Sequence, residues 1–418
     1  MDARLGQVFD RGARAVALEA DYAAPNYSPI TVVLERGEGC WLWDSDGRRY
    51  LDFMSAYSAV SHGHAHPRLL RALTDQAQRL AVASRAYHSS VLGDFLAELV
   101  TLADLAGPAR ALPASGGCES VETAIKAARR WGYRVKGIGT DGAQVVVARG
   151  NFHGRSTTVV GFSTEDAYRD GFGPFAPGFR HFDFGDIDSL ASAIDDSTCA
   201  VLIEPIQGEA GIVLPPDGFL RDVRTLCDER RVLLIVDEIQ SGLGRTGAMF
   251  AYMHEGIRPD GVIVGKALGG GLLPVSAFVA RAEVLDLLGP GSHGSTFGGN
   301  PLAARVGLEA LRVLVEERLV ERSRLLGEHL VARLRALQSP LIRAVRGRGL
   351  WVGVELDPAQ VSARAVVDRL AAQGVLSKDT HETVIRFAPP LTIDRAALDF
   401  GIDVFERVLG EFARSAGR

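Results

Sequence analysis

Between residues 92 and 300 the apolar positions follow two alternating rhythms. Short, nearly continuous apolar runs at 144–148, 157–161, 200–204, 232–237, 262–264 and 275–279 read as buried strands. Between them, apolar residues recur every three to four positions over 92–105, 119–131, 187–194 and 218–230, the spacing of amphipathic helices. Such alternation predicts an α/β fold with a mainly parallel sheet covered by helices on both faces. The flanks differ. Residues 31–34 and 41–43, with turn signals at Gly37–Gly39 and Asp46–Gly47, predict a small antiparallel sheet, and a helix follows near 67–80. After Asn300 and Pro301, long helical patterns at 302–317 and 319–337 precede a short segment at 349–355, a strand at 384–387 and a closing helix at 394–414. The expected division is an N-terminal arm and sheet (1–60), a large domain (61–300) and a smaller C-terminal α+β unit (301–418). The N-terminal sheet is expected to pack with the last unit.

Composition narrows the function classes. With 47% hydrophobic and 23% charged residues, the 418-residue chain is typical of globular proteins. Its net charge of −5 gives no basic surface for nucleic acid, and no apolar run approaches the roughly 20 residues of a membrane span. Asp2, Asp10, Glu19 and Asp21 argue against a cleaved leader. Four cysteines without C-x-x-C spacing fit a reduced, cytoplasmic protein. Only four of the 46 basic residues are lysines: Lys126, Lys136, Lys266 and Lys378.

That scarcity matters because Asp237 and Lys266 stand at the ends of two predicted strands, where open α/β sheets bind ligands. Pyridoxal phosphate (PLP) needs such a pair: a lysine for its Schiff base and an acid for its pyridine nitrogen. Among the four lysines only Lys266 lies at a strand end; Lys126 sits inside a helix. Several loops then compete between chemistry and plain structure. The glycine-rich turn 115–118 opens a helix whose amides suit a phosphate, as does an ordinary tight turn. In GNFHGRS, Phe152 suits stacking on a flat ring and Arg155 suits a carboxylate; an ordinary loop carries both as easily. Glu204 and Glu209 are acid/base candidates or ion-pair partners. Ser295 and Thr296 offer hydroxyls, and Arg386 ends a strand before Pro389. His62, His64 and His66 alternate, but without helical i, i+4 spacing they read as a structural loop rather than a metal site.

The stretches SGGCESVETA, NFHGR, EPIQGEAG, DEIQSGLGRTG, GKALGGG and GSTFGGNP occur in an order and spacing that resembles the class III (subgroup II) PLP-dependent aminotransferases of fold type I. The runs NYSP, SAYSAV, SRAYH, DGFGPFAPGF and IRFAPPL are most similar to the ornithine-using branch. The resemblance implies a large PLP-binding domain, a smaller α+β domain and a homodimer. It implies Lys266 and Asp237 as catalytic residues, with Gly117 and Cys118 at the phosphate, Phe152 stacked on the ring and Gln240 at its phenolic oxygen. Thr296 would reach the phosphate of the neighbouring subunit. Arg155 and Tyr27 would hold the α-carboxylate and α-amine of ornithine, beside Tyr57. Glu209 would pair with Arg386 and release it for 2-oxoglutarate. The implied reaction is ornithine plus 2-oxoglutarate to glutamate 5-semialdehyde plus glutamate. N-acetylornithine, 4-aminobutyrate or another ω-amine is the alternative donor; a PLP-fold decarboxylase or racemase is the alternative class. Two departures stand out: His153 where the animal ornithine enzymes have tryptophan, and the wording SGGC in the phosphate loop.

Overall fold

The computed structural model describes residues 11–416; residues 1–10, the start of the expected N-terminal arm, lie outside them. Among the described residues fifteen strands form three sheets. The N-terminal sheet joins β1 (Leu34–Glu38), β2 (Trp41–Asp44) and β3 (Arg49–Asp52). The central sheet contains β4 (Ala109–Ala114), β5 (Gln144–Ala148), β6 (Phe179–Phe182), β7 (Thr198–Ile203), β8 (Leu233–Asp237), β9 (Gly261–Val264) and β10 (Ser276–Arg281). C-terminal strands are β11 (Ile342–Gly347), β12 (Val352–Leu356), β13 (Val375–Leu376), β14 (Lys378–Thr380) and β15 (Val384–Phe387).

The central order is β4-β10-β9-β8-β7-β5-β6, and only β10 runs antiparallel to its neighbours. Its middle strands are buried throughout, which explains their unbroken Val/Ile/Leu runs. Of the strands that periodicity does not reveal, β4, β6 and β11 lie at sheet edges. There one flank lacks a neighbour, and residues such as Arg110, Pro113, Arg180 and Arg346 break the apolar run.

One expected strand is a helix. Residues 157–161 resemble a strand through their β-branched side chains, yet Thr157–Gly161 is helical. Ser156 caps it, accepting from the Val159 amide at 3.4 Å. Strand β5 already pairs with β6 and β7 on its two sides, so this segment has no place beside it. Val159 and Val160 bury themselves against the core instead. The first expected strand also starts later, at Leu34 rather than at residue 31.

The N- and C-terminal parts of the chain meet. Strand β13 pairs in parallel with β3, and Phe53 packs edge-on against Phe387 with centroids 5.4 Å apart. Phe387 packs on Phe405 in turn, at 5.1 Å, which anchors the strand carrying Arg386. Among the described residues no helix is long and apolar enough to cross a membrane.

Candidate active site

Strands β4, β5, β7, β8 and β9 are mutually parallel, so their carboxyl ends open on one side. Asp237 is the last residue of β8, Glu204 follows β7, and Lys266 stands two residues beyond β9. The crevice they bound is about 190 Å³ and also meets Gly117, Phe152 and Gln240.

Lys266 opens a short 3-10 turn with φ of 46°. A side chain in left-handed backbone costs about 1–2 kcal/mol, a local strain of the kind that clusters at functional sites. Burial lowers the lysine pKa, against the opposing charges of Glu209 and Asp237. Neutral amine is therefore more available than on a free lysine.

Asp237 is almost fully buried. It accepts from the backbone N–H of Ile239 at 3.0 Å and from the His153 ring, whose Nδ1 lies 2.7 Å away. Burial alone would lower the His153 pKa, but the hydrogen bond and charge of Asp237, with Glu204 behind, raise it above the ordinary histidine value. Among the described residues His153 Nε2 is buried without a hydrogen-bond partner.

The hydrogen bonds of Glu204 go to backbone amides rather than to Glu209. It accepts the Phe152 amide at 2.9 Å and the Gly208 amide at 3.2 Å, tying together the loops after β5 and β7. Burial pushes its pKa up to about 7, with Asp237 adding to the rise and His153 and the two amides opposing it.

At the other end, helix Gly117–Trp131 begins at the crevice. Glu119 folds back to accept the amides of Ser115 at 2.8 Å and Gly116 at 3.4 Å. The following first-turn amides have no intrahelical partner and suit an anion. A Cβ at Gly117 would lie 2.8 Å from Ile239 Cδ1, so glycine keeps this cradle shallow. Cys118 accepts the Ser156 amide through Sγ at 3.3 Å. A Cβ on Gly208 would collide with Gln240 Oε1, so that glycine leaves room for the amide. Thr296 is exposed and does not line the crevice.

The rim holds two arginines in contrasting surroundings. Arg386 is buried and donates to Glu209 Oε1 at 2.7 Å. Its guanidinium lies 5.2 Å from the Tyr57 ring centroid. Tyr57 belongs to four consecutive residues, Ser55 to Ser58, with φ of 47°, 46°, 58° and 71°. Asp52 pins this turn by accepting the Ser55 amide at 2.8 Å, and Ser55 Oγ donates to the Ala388 carbonyl at 2.6 Å. Arg155 is exposed, and among the described residues it has no acidic partner. Its guanidinium covers Tyr168 at 3.6 Å from the ring centroid and Phe152 at 5.4 Å. Tyr27 is 78% exposed, too open for its place in a site to come from its own packing.

Sequence reasoning missed His153 as the partner of Asp237, and Tyr168 altogether. The first could be sought in NFHGR, whose histidine follows the end of β5, two strands from the acid's β8 in the same sheet; nothing in DAYRDG marks the second. The three alternating histidines each meet a different partner: His62 the Ala310 carbonyl, His64 Asp52, and His66 Glu317.

Comparison with known proteins agrees with this geometry. Residues 22–409 match the model of the aminotransferase class-III family. An ornithine aminotransferase of Staphylococcus carnosus is 50% identical over 392 residues, covering 94% of this chain and 97% of that protein. Among solved structures, an ornithine aminotransferase from Toxoplasma gondii, described with partial occupancy of PLP at its active site, superposes with a TM-score of 0.95 at 39% identity, covering 97% of this chain and 96% of its own. An acetylornithine aminotransferase from Elizabethkingia anophelis gives a TM-score of 0.86 at 40% identity, covering 96% and 99%. With that match spanning nearly all of its length, the chain belongs to the class-III aminotransferases.

Proposed function

We propose that this aminotransferase uses PLP to move the δ-amino group of L-ornithine to 2-oxoglutarate, as a homodimer. The observation that carries the donor assignment is the pairing of Arg386 with Glu209 while Arg155 stands without an acid on the same rim. With one arginine neutralised, Arg155 is the rim arginine without an acid partner among the described residues, open to the α-carboxylate of an incoming amino acid. Ornithine held there presents its far amine inward.

The residues fit the cofactor. The Gly117 cradle and first-turn amides suit its phosphate, Phe152 offers an aromatic face, and Gln240 a side-chain amide. Asp237, kept oriented by His153 and the Ile239 amide, would hold a proton on the ring nitrogen. Bound there, PLP supplies an aldehyde for the amino group and a ring that withdraws electrons. Lys266 Nζ would take a proton from the substrate δ-carbon and return it to the cofactor side. Its burial keeps a neutral amine available for that task. Tyr27 would contact the α-amine. In the second half-reaction Glu209 would leave Arg386, which then takes a carboxylate of 2-oxoglutarate; an unpaired buried guanidinium between those events would be costly. Thr296, exposed on its loop, would complete the phosphate site of a second copy.

The test is a single half-reaction: PLP-loaded enzyme mixed with ornithine and no oxo acid, with the product identified. Loss of the cofactor's aldehyde absorption together with one equivalent of glutamate 5-semialdehyde is expected. Release of CO2 or of D-ornithine instead would indicate a decarboxylase or racemase. The Elizabethkingia likeness makes N-acetylornithine the competing donor. A higher kcat/KM for that compound, whose α-amine is blocked, would defeat the role given to Tyr27.

A further inference from the structure

Arg155 and its surroundings carry one step more, resting on the donor reading above. An exposed arginine with no acid partner should sample several rotamers and lose entropy on each binding event. Here one face of the guanidinium lies on the Tyr168 ring, 3.6 Å from its centroid. That ring is braced in turn: it meets Phe152 edge-on, with centroids 5.9 Å apart and planes at 80°. Phe152 is fixed by its backbone amide bonded to buried Glu204. The chain of contacts therefore runs from the floor of the crevice to the arginine on its rim. Tyr168 comes from a 3-10 turn, Asp166–Tyr168, which Arg169 fastens by donating to the Ser163 carbonyl at 3.0 Å. Among the described residues the Tyr168 hydroxyl has no hydrogen-bond partner, so the ring face is what the contact uses. Tyr168 also lines a second hollow with Phe152 and Glu209.

We infer that Tyr168 is a positioning residue for donor choice: its ring holds the Arg155 guanidinium flat, with its N–H edge left open for the α-carboxylate of an amino-acid donor. Stacking on an aromatic face leaves the planar fork of an arginine free for a carboxylate. Such a platform favours donors carrying a carboxylate at that distance over diamines of the same length. It contributes nothing to an amine that lacks the carboxylate.

The experiment compares Tyr168→Leu and Tyr168→Phe with the wild type, each loaded with PLP. The measurements are KM and kcat for ornithine, and the apparent affinity for 1,4-diaminobutane. The latter is read as KM if the diamine is turned over and as a competitive inhibition constant if it is not. Tyr168→Leu should raise the ornithine KM about fivefold, the size of one cation–π contact at an exposed site, with kcat changed less than about twofold. The diamine affinity should move far less, so the ratio between the two ligands falls about fivefold. Tyr168→Phe, which keeps the face, should bring the ornithine KM back to the wild-type range. An unchanged ornithine KM in Tyr168→Leu overturns the inference, as does an equal loss for the diamine, which would mark general disruption of the loop. A wild type that ignores ornithine but accepts another donor defeats the donor reading itself, and the positioning role with it.

Discussion

Two arginines face one cleft, and the protein treats them in opposite ways. Arg386 is buried on strand β15, bonded to Glu209 and backed by Phe387 and the core. Arg155 lies on a loop, exposed, with two aromatic rings beneath it in place of an acid. A buried cation must be neutralised, and removing its partner leaves an uncompensated charge. An exposed one is already solvated and needs only orientation. On the proposed function the difference is a division of labour: the paired arginine would be switched by moving its acid, whereas the stacked arginine would stand ready.

The largest expected effects separate these roles. Arg386→Met should lower kcat/KM for 2-oxoglutarate about 100- to 1000-fold, the loss of a two-pronged charged hydrogen bond. It should also destabilise the fold by about 2–4 kcal/mol, because Glu209 is left without its partner. Arg155→Met should lower kcat/KM for ornithine about 10- to 100-fold, with stability within about 0.5 kcal/mol of the wild type. Half-reaction rates with each substrate and urea denaturation of each variant make the check. If both variants lose the same stability, the contrast between buried and exposed fails.

Much of this arrangement was legible in the chain. The parallel sheet announced itself because its central strands are buried on both faces, which forces unbroken apolar runs such as Leu233–Val236. Edge strands such as Phe179–Phe182 escaped because one flank lies open. Residues 157–161 misled because β-branching speaks for a strand, while the Ser156 cap and the filled positions beside β5 decide for a helix. Lys266 and Asp237 could be picked out from their places at strand ends. Tyr168 could not, since its contact with Arg155 depends on how two loops meet in space.

The same contrast extends to the acids. Glu209 has an arginine; Glu204 has only backbone amides and the nearby His153 to offset its burial, which raises its pKa to about 7. A carboxyl raised above its unfolded value binds extra protons in the folded state. Stability from that proton is present at low pH and is lost as pH rises towards the folded pKa. Glu204→Gln should therefore gain about 2 kcal/mol on the wild type between pH 5.5 and pH 8. Denaturant midpoints at the two pH values read this out. A difference that stays flat, or shrinks at the higher pH, would mean that Glu204 is effectively paired after all.

The smallest effect tests the switch itself. With Glu209→Ala, Arg386 keeps its buried position but loses its acid, and both arginines then compete for the α-carboxylate of ornithine. Both Arg386 and Glu209 act electrostatically on Lys266, so a carboxylate drawn to Arg386 lies close to the reacting lysine. The α-amine of ornithine would then sit where the δ-amine belongs. Shifting the relative barriers by about 1.4 kcal/mol, a factor of ten, should bring a 2-oxo acid into view beside the semialdehyde. Product analysis of the half-reaction distinguishes the two by their carbonyl position. Arg155, held flat on Tyr168, should still direct most ornithine to δ-transfer, so the change is one of proportion. If the variant forms only the semialdehyde at an unchanged rate, Glu209 does not set which arginine receives the donor, and the pair at 2.7 Å is structural.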